Sequence, residues 1–582
     1  MLKGQTASKV LVGGISKRFA AQTMKLGCNW TTTQLHTTRY YSQRKSQHRD
    51  NVPRNDSVKV DVSLLEISRR NKDIDLQCDR YYPSMTQLQH DKGKRTTIHD
   101  FRNKFGTMDE GMLQEFSDAT YTLYGRIQSI RSSGKKIWFL DINDHSNTVN
   151  AALVSSNVQI IINYKSVQDK MTIDEFNAEM NNIRKHDYIG CVGAPGLSQS
   201  RNKNLSLLVK CLPQLMAPIQ TPLPSGLSES QKRNNNRVID YQVNGIQPLI
   251  QRATILRLIR TFYQDLNQFI EVETPLLSSK ANGASAKPFA VKHKDSVSLE
   301  LRIAPELWLK RLIISGMSKV FEMGKMFRNE GIDASHNPEF TMLESYQTYA
   351  TMEDLIELAE SLFKYLLLNV TWENDTTKAL KETLQANNWH FNRIEFLPTL
   401  SKELGISLES VNLDEPKEIM AVLPEETINT LSLLDTMSSS QILDKLSGYY
   451  LEDKHCQSLH PTIIYHQPLA MSPLAKSIPT KPRLTQRFEM FIKGKEYINA
   501  YEEENCPQTQ LSNFLQQQKQ SHTTIDPELL PVDHKYVEAM RSGMPPTGGL
   551  GLGVDRLCML LMEKSRIEQV LPFGSIDDVN RQ

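Results

Sequence analysis

Apolar residues alternate with polar ones in short runs between residues 121 and 209, then recur at steps of three and four, so a strand-rich part precedes a mixed part. Tyr121, Leu123 and Ile127 around Gly125 predict a strand. Ser132-Ser133-Gly134-Lys135 predicts a turn, and Ile137 to Ile142 a second strand. Shorter apolar runs at 148–154, 188–192 and 205–209 extend the series to a small barrel of roughly 100 residues. Pro213, Pro218, Pro222 and Pro224 then mark a linker. Leu256, Ile259, Phe262, Leu266 and Phe269 predict one helix face, and Thr351 with Asp354 a capping box ahead of a helix through about Leu368. Strand-like stretches lie between these helices and again over 487–505, whereas 372–460 is helical in places and carries no motif. The expected division is 1–50, 51–117, a barrel at 118–215, a linker at 216–238 and a larger α+β domain at 239–582.

Charge changes this picture mainly at the N-terminus. Residues 1–49 hold nine Lys or Arg and no acidic residue, among Ser, Thr and Gln, which is the composition of a mitochondrial transit peptide. The remainder has 59 basic against 66 acidic residues, so nucleic acid must meet a local basic patch. No run of 18 apolar residues is present, so no membrane partner is expected. Seven scattered cysteines without a C-x-x-C pair argue against a zinc site or a disulfide framework.

Three constellations carry chemistry. The first runs from Phe327-Arg328-Asn329-Glu330-Gly331 through Ser335-His336-Asn337-Pro338 to a returning strand, on which Phe340, Met342, Glu344 and Tyr346 share a face. The second is a hairpin about Lys493-Gly494 that places Glu489 and Glu496 within reach of one divalent cation. Asn499, Tyr501 and Glu503 have the opposite parity, so a bulge near Tyr497 or Ile498 is required to bring all five into one pocket. The third is Gly548-Gly549-Leu550-Gly551-Leu552-Gly553 followed by Asp555-Arg556, glycines that let a nucleotide approach the backbone. It lacks the Gly-Lys-Ser/Thr of a P-loop. Two arginines for phosphates, two carboxylates for a metal and a third to meet a cation suit attack of a carboxylate on the α-phosphate of ATP.

On these residues the chain resembles the class II aminoacyl-tRNA synthetases. Phe327 to Gly331 with Phe340 resembles their motif 2, Gly549 to Arg556 motif 3, and Phe269-Ile270-Glu271-Val272-Glu273-Thr274-Pro275-Leu276 motif 1. Gly283-Ala284-Ser285-Ala286-Lys287-Pro288-Phe289, Leu301-Arg302-Ile303-Ala304-Pro305-Glu306-Leu307, His336 to Thr341 and Met471-Ser472-Pro473-Leu474-Ala475-Lys476 are similar to the lysyl-tRNA synthetases within that class. The resemblance implies an OB-fold that binds the tRNA anticodon, an antiparallel catalytic sheet flanked by helices, and a homodimer with Pro275 at its interface. It implies ATP and Mg2+, with lysine and tRNA(Lys) as substrates, in the mitochondrial matrix. Arg328 and Arg556 would be catalytic, with Glu330, His336, Asn337, Phe340, Glu489 and Gly553 completing the ATP site. Glu489 and Glu496 would hold the metal. Gly283, Glu306 and Glu344 would take the lysine α-amino group, Arg328 and Asn499 its carboxylate, and Tyr346, Tyr501 and Glu503 its ammonium. In the barrel, Arg126 and Phe139 would meet the anticodon. Phe139 as plain core stays open, since Trp138 and Leu140 compete for the inward face. Asn282 and Cys506 stand where the family usually has Gly and Asp. An aspartyl or asparaginyl relative would need a cation where Glu503 stands.

Overall fold

The computed structural model describes residues 62–86, 88, 93–144, 148–149, 152–153, 156–199, 203–279, 286–293, 297–521 and 532–581. The segment expected to be a transit peptide, Gly283 and Asn282 lie outside the described residues.

The alternating segment forms β1 (Tyr121–Ser133), β2 (Ile137–Asp144), β3 (Ser156–Asn163), β4 (Tyr188–Leu197) and β5 (Leu205–Val209). The spatial order is β1-β2-β3-β5-β4, and β1 also pairs with β4, so five strands close into a barrel. Leu123, Ile127, Leu140, Ile142, Ile160 and Ile162 form its apolar core. An amphipathic helix at Ile98–Phe105, in the stretch that reads as weakly patterned, adds Ile98, Phe101 and Phe105 to the same core. Thr97 caps it by accepting from the Asp100 amide. Helix α1 (Ile173–Asn182), with a capping box at Thr172 and Glu175, lies between β3 and β4 and turns Phe176 and Met180 inward.

Beyond the barrel, the expected linker already becomes helical at Ser230–Asn235 and Arg237–Asn244. Helix α2 (Gln247–Thr261) buries Ile255, Leu258 and Ile259. The sequence pattern carries this helix on to Phe269, and the structure corrects that expectation. A π turn over Phe262–Leu266 shifts the face, so Leu266 is exposed, and Gln268 with φ of 61° ends the helix before Phe269.

The large sheet has eight strands: β6 (Ile270–Glu271), β7 (Lys319–Phe327), β8 (Glu339–Thr348), β9 (Asn392–Glu395), β10 (Thr462–Tyr465), β11 (Arg487–Ile492), β12 (Lys495–Glu502) and β13 (Thr547–Gly553). Their order is β6-β7-β8-β13-β12-β11-β10-β9, antiparallel through the middle with one parallel pair at each edge. Helices α3 (Glu306–Ile314), α4 (Met352–Asn369) and α5 (Val554–Leu561) accompany the sheet. Thr351 and Asp354 form the expected capping box of α4. The glycine-rich run is itself the strand β13, between β8 and β12, although glycine disfavours strands. Residues of the 372–460 stretch build their own apolar cluster from Phe396, Leu400, Ile442, Leu443 and Leu446, which reaches the sheet through Ile464 and Phe491.

Candidate active site

A cleft of about 550 Å³ opens over β8, β13 and β12, and parity alone decides which residues line it. On β8, Phe340, Met342, Glu344 and Tyr346 face the cleft, while Leu343 and Ser345 are buried on the other side. On β13, Gly549, Gly551 and Gly553 face it, and Leu550 and Leu552 enter the core. A Cβ at Gly549 would strike Glu503 Oε1 and lie 2.6 Å from Tyr346 Cε1, so that position must be glycine for both side chains to sit there. The nearest atom to a Cβ at Gly553 is 3.8 Å away, which leaves the nucleotide end open.

The β11–β12 hairpin turns at Lys493 and Gly494, with φ of 51° and 67°. Phe491 pairs with Glu496, but Met490 pairs with Ile498, so Tyr497 is the extra residue of a β-bulge. Glu489 thereby faces Asn499 rather than Ile498, and Glu489, Glu496, Asn499, Tyr501 and Glu503 all line the cleft. Arg487 organises the hairpin. It donates to Glu489 Oε1 at 2.5 Å, Asn499 Oδ1 at 3.0 Å and Ser472 Oγ at 2.8 Å. Gln467 donates to Glu489 Oε2 at 2.7 Å. Burial and then the like charge of Glu489 raise the Glu496 carboxyl to about 7, although its side chain keeps 40% exposure toward the cleft. Burial and Glu489 likewise raise Glu452 to about 7. This surplus of negative oxygen donors fits a hard divalent cation carried in by phosphates.

At the nucleotide end, the Arg328 guanidinium lies 5.2 Å over the Phe340 ring. Arg328 is the first loop residue after β7, fixed by its amide donating to Pro338 O at 2.9 Å. Arg556 on α5 donates to Glu496 O at 2.7 Å and meets His336 Nε2 at 2.6 Å, while Asp333 holds His336 Nδ1 at 2.7 Å. Asp555 ties this corner together by accepting from the Thr341 amide and pairing with buried Arg252 at 2.6 Å. Glu330 is exposed at the rim. Asn337 spends its side chain on Glu339 O and the Ile576 amide, so its part in the site is to hold the loop.

The far end is closed by carboxylates. Tyr501 donates to Glu306 Oε1 at 2.7 Å, and Tyr346 to Glu344 Oε2 at 2.9 Å. Burial and the charge of Glu306 raise Glu344 to about 8. Glu503 is buried, and its Oε1 has no hydrogen-bond partner among the described residues. Burial pushes its carboxyl up, and the ammonium of Lys310 opposes that shift. Lys310 on α3 is wholly buried and pairs with Glu306 at 2.5 Å and with Glu503. Sequence reasoning missed Lys310, Arg487, Asp444 and Glu452. The first two leave a trace, since Lys310 follows Glu306 by four on a helix and Arg487 shares the parity of Glu489. The last two lie in the stretch without motifs.

On the barrel, Leu140 is fully buried and Trp138 packs on the core, so Phe139 points outward. Arg126 is mostly buried, donates to His186 O at 3.3 Å and lies over the Tyr188 ring. Pro275 is exposed beside the exposed Ile270, Leu276 and Leu277.

A family model described as tRNA synthetases class II (D, K and N) matches residues 229–577. The mitochondrial lysine--tRNA ligase of Saccharomyces cerevisiae is 50% identical over 549 residues, spanning 90% of this chain and 94% of that protein. The mitochondrial lysine--tRNA ligase of Schizosaccharomyces pombe is 36% identical, spanning 88% of this chain and 93% of its own. A lysine--tRNA ligase of Streptococcus thermophilus is also 36% identical, over 83% and 94%. With the barrel, the antiparallel sheet and the cleft thus arranged, the chain belongs to the class II tRNA synthetases of the D, K and N group.

Proposed function

We propose that this chain is a mitochondrial lysine--tRNA ligase that joins lysine to tRNA(Lys) through a lysyl-adenylate. The reading rests above all on one observation, the buried Glu503 carboxylate beside Tyr346, whose Oε1 has no hydrogen-bond partner among the described residues. Glu503 shares its cation, Lys310, with Glu306, so the buried site keeps more carboxylate than ammonium, and a second cation would offset it, whereas an aspartate or asparagine side chain brings none.

In the first step a lysine carboxylate oxygen forms a bond to the α-phosphorus of ATP, and pyrophosphate leaves. Arg328 holds the α-phosphate and the lysine carboxylate together, Phe340 stacks on adenine, and Arg556 meets the γ-phosphate. Glu330, His336, Asn337, Glu489 and Gly553 complete the nucleotide site. Asn499 assists at the carboxylate, while Gly283, Glu306 and Glu344 receive the α-amino group. Tyr346, Tyr501 and Glu503 enclose the side-chain ammonium. Glu489 and Glu496 are the residues that would hold Mg2+, which when bound with ATP supplies positive charge to the phosphates. In the second step the terminal hydroxyl of tRNA attacks the lysyl carbonyl and AMP leaves. Phe139, on the outer face of the barrel, stacks on an anticodon base, and Arg126 stands on the neighbouring strand. Two copies meet through the motif 1 face at Pro275. The basic first 50 residues direct the chain to the mitochondrial matrix.

ATP–pyrophosphate exchange with each of the twenty amino acids tests this directly. Lysine alone should support exchange. Glu503→Gln should lower kcat/KM for lysine by roughly 30-fold or more while ATP still binds, because a desolvated ammonium would lose its countercharge. Exchange driven by aspartate or asparagine, or an unaltered lysine response in that variant, sinks the proposal.

A further inference from the structure

The assignment of Glu306 and Glu503 to the two amino groups of lysine leaves Lys310 unexplained, and any role for Lys310 in recognition rests on that assignment. Lys310 is fully buried behind both carboxylates, with its Nζ 2.5 Å from Glu306 Oε1 and in contact with Glu503 Oε2. The Tyr501 and Tyr346 rings flank it, with centroids 5.5 and 5.9 Å from Nζ. Burial alone would expel its proton, but Glu306 and then Glu503 outweigh burial and hold the ammonium above its ordinary value. The oxygens that Lys310 does not engage are Glu503 Oε1, which has no hydrogen-bond partner among the described residues, and Glu306 Oε2.

We infer that Lys310 is a positioning and specificity-determining residue: by spanning Glu306 and Glu503 it takes one oxygen of each and leaves the other two as separate seats for the two ammonium groups of lysine. The charge count supports this. Once a bound ammonium displaces the proton that burial keeps on Glu344, Glu306, Glu344 and Glu503 carry three negative charges in one buried space, and Lys310 reduces the surplus to two, the number of ammonium groups on the substrate. Arg328 is left for the substrate carboxylate. Without Lys310 one carboxylate has no countercharge, and in a buried site it takes a proton instead. Glu503 is the one so affected, because the other groups facing it are Glu306, Glu344 and the hydroxyls of Tyr346, Tyr501 and Tyr536, none of them cationic.

The test is pyrophosphate exchange by the full-length Lys310→Met enzyme with lysine and with norleucine, which keeps the four-carbon chain and lacks the ε-ammonium, between pH 6.5 and 9. The expected result is a KM for lysine raised roughly 30-fold or more near pH 7, with the KM for ATP unchanged. That KM should fall toward the wild-type value as pH rises, because Glu503 must shed its proton before lysine binds, and the preference for lysine over norleucine should shrink. In Lys310→Arg, which keeps the charge, the wild-type pH profile should return even if KM stays raised; this variant carries the test if the Met variant does not fold. A folded Lys310→Met enzyme with wild-type lysine KM and pH profile overturns the inference, as does a Lys310→Arg enzyme that acquires a new pH dependence. Glu503→Gln separates the two levels. If that variant still activates lysine normally, the site reading itself fails, whereas loss there with no effect at Lys310 rejects only the role of Lys310.

Discussion

The barrel and the catalytic sheet each bury charge, and they treat it in opposite ways. In the barrel, Asp187 is fully buried and fully satisfied. Arg70 reaches its two oxygens at 2.6 and 3.0 Å, and the amides of Arg184 and Ile219 donate at 2.7 Å. In the cleft, Glu503 is as deeply buried, yet one of its oxygens has no hydrogen-bond partner among the described residues. The first is a clamp that joins 70, 187 and 219. The second is the proposed seat of the substrate ammonium. Buried charge by itself does not mark a functional group, nor does an unpartnered atom, since Arg70 Nε in the clamp also lacks one among the described residues; what sets Glu503 apart is an unpartnered carboxylate oxygen in a residue that lines the cleft.

The comparison breaks most readily at the clamp. Asp187→Ala should destabilise the chain by about 3–5 kcal/mol, because Arg70 is left buried without a countercharge. Denaturant unfolding would register this, and lysine-dependent exchange at low temperature should persist. A variant as stable as the wild type would end the claim that this pair is a structural clamp. The next largest effect belongs to Gly549→Ala, which drives a methyl into Glu503 and Tyr346 at a cost of about 1–3 kcal/mol. Its mark should be a rise in KM for lysine with ATP affinity kept; equal losses for both ligands would show that the strand, not the seat, was disturbed.

Phe139→Ala should weaken tRNA binding by about 1–3 kcal/mol while leaving the salt slope and the barrel fold intact, since stacking and not charge is removed. A changed slope in a binding titration would transfer the anticodon contact to a basic residue. A separate effect is that of pH. Glu344 is raised to about 8 in the fold and titrates near 4.3 in an unfolded chain, so the folded state keeps a proton that the unfolded state has lost. Its contribution to stability is complete below about pH 4 and disappears as pH rises through about 8. The melting temperature of the free enzyme should therefore fall with pH relative to Glu344→Gln and run parallel to it above pH 8; parallel curves throughout would refute the shift.

Much of this was legible beforehand, and for local reasons. The α4 cap needs only Thr351, Asp354 and the helix between them. The bulge at Tyr497 follows from parity, because five side chains on one hairpin cannot otherwise share a face. Elsewhere local rules misled or fell silent. Leu266 keeps helical spacing, but the π turn before it rotates the face. The glycines of 548–553 carry no strand pattern, and only the pairing of β13 with both β8 and β12 makes them a strand. The helix at Ile98–Phe105 is too short for its pattern to stand out, though three of its residues complete the barrel core. Asp444 and Glu452 carry no spacing signal, since they reach the cleft from a separate cluster.

The order of the chain determined what neighbours in sequence can settle by themselves: the period of two in the barrel and on β8, the caps, the Lys493-Gly494 turn, and which residue types can carry charge. Tertiary structure alone decided what each charge is worth. Glu306, Lys310, Glu344 and Glu503 come from α3, β8 and the end of β12, and water leaves them only once those elements pack. Desolvation, and the count of partners that remain after it, depend on that packing and on nothing local, so a clamp and a binding seat built from the same residue types become distinguishable only in the folded chain.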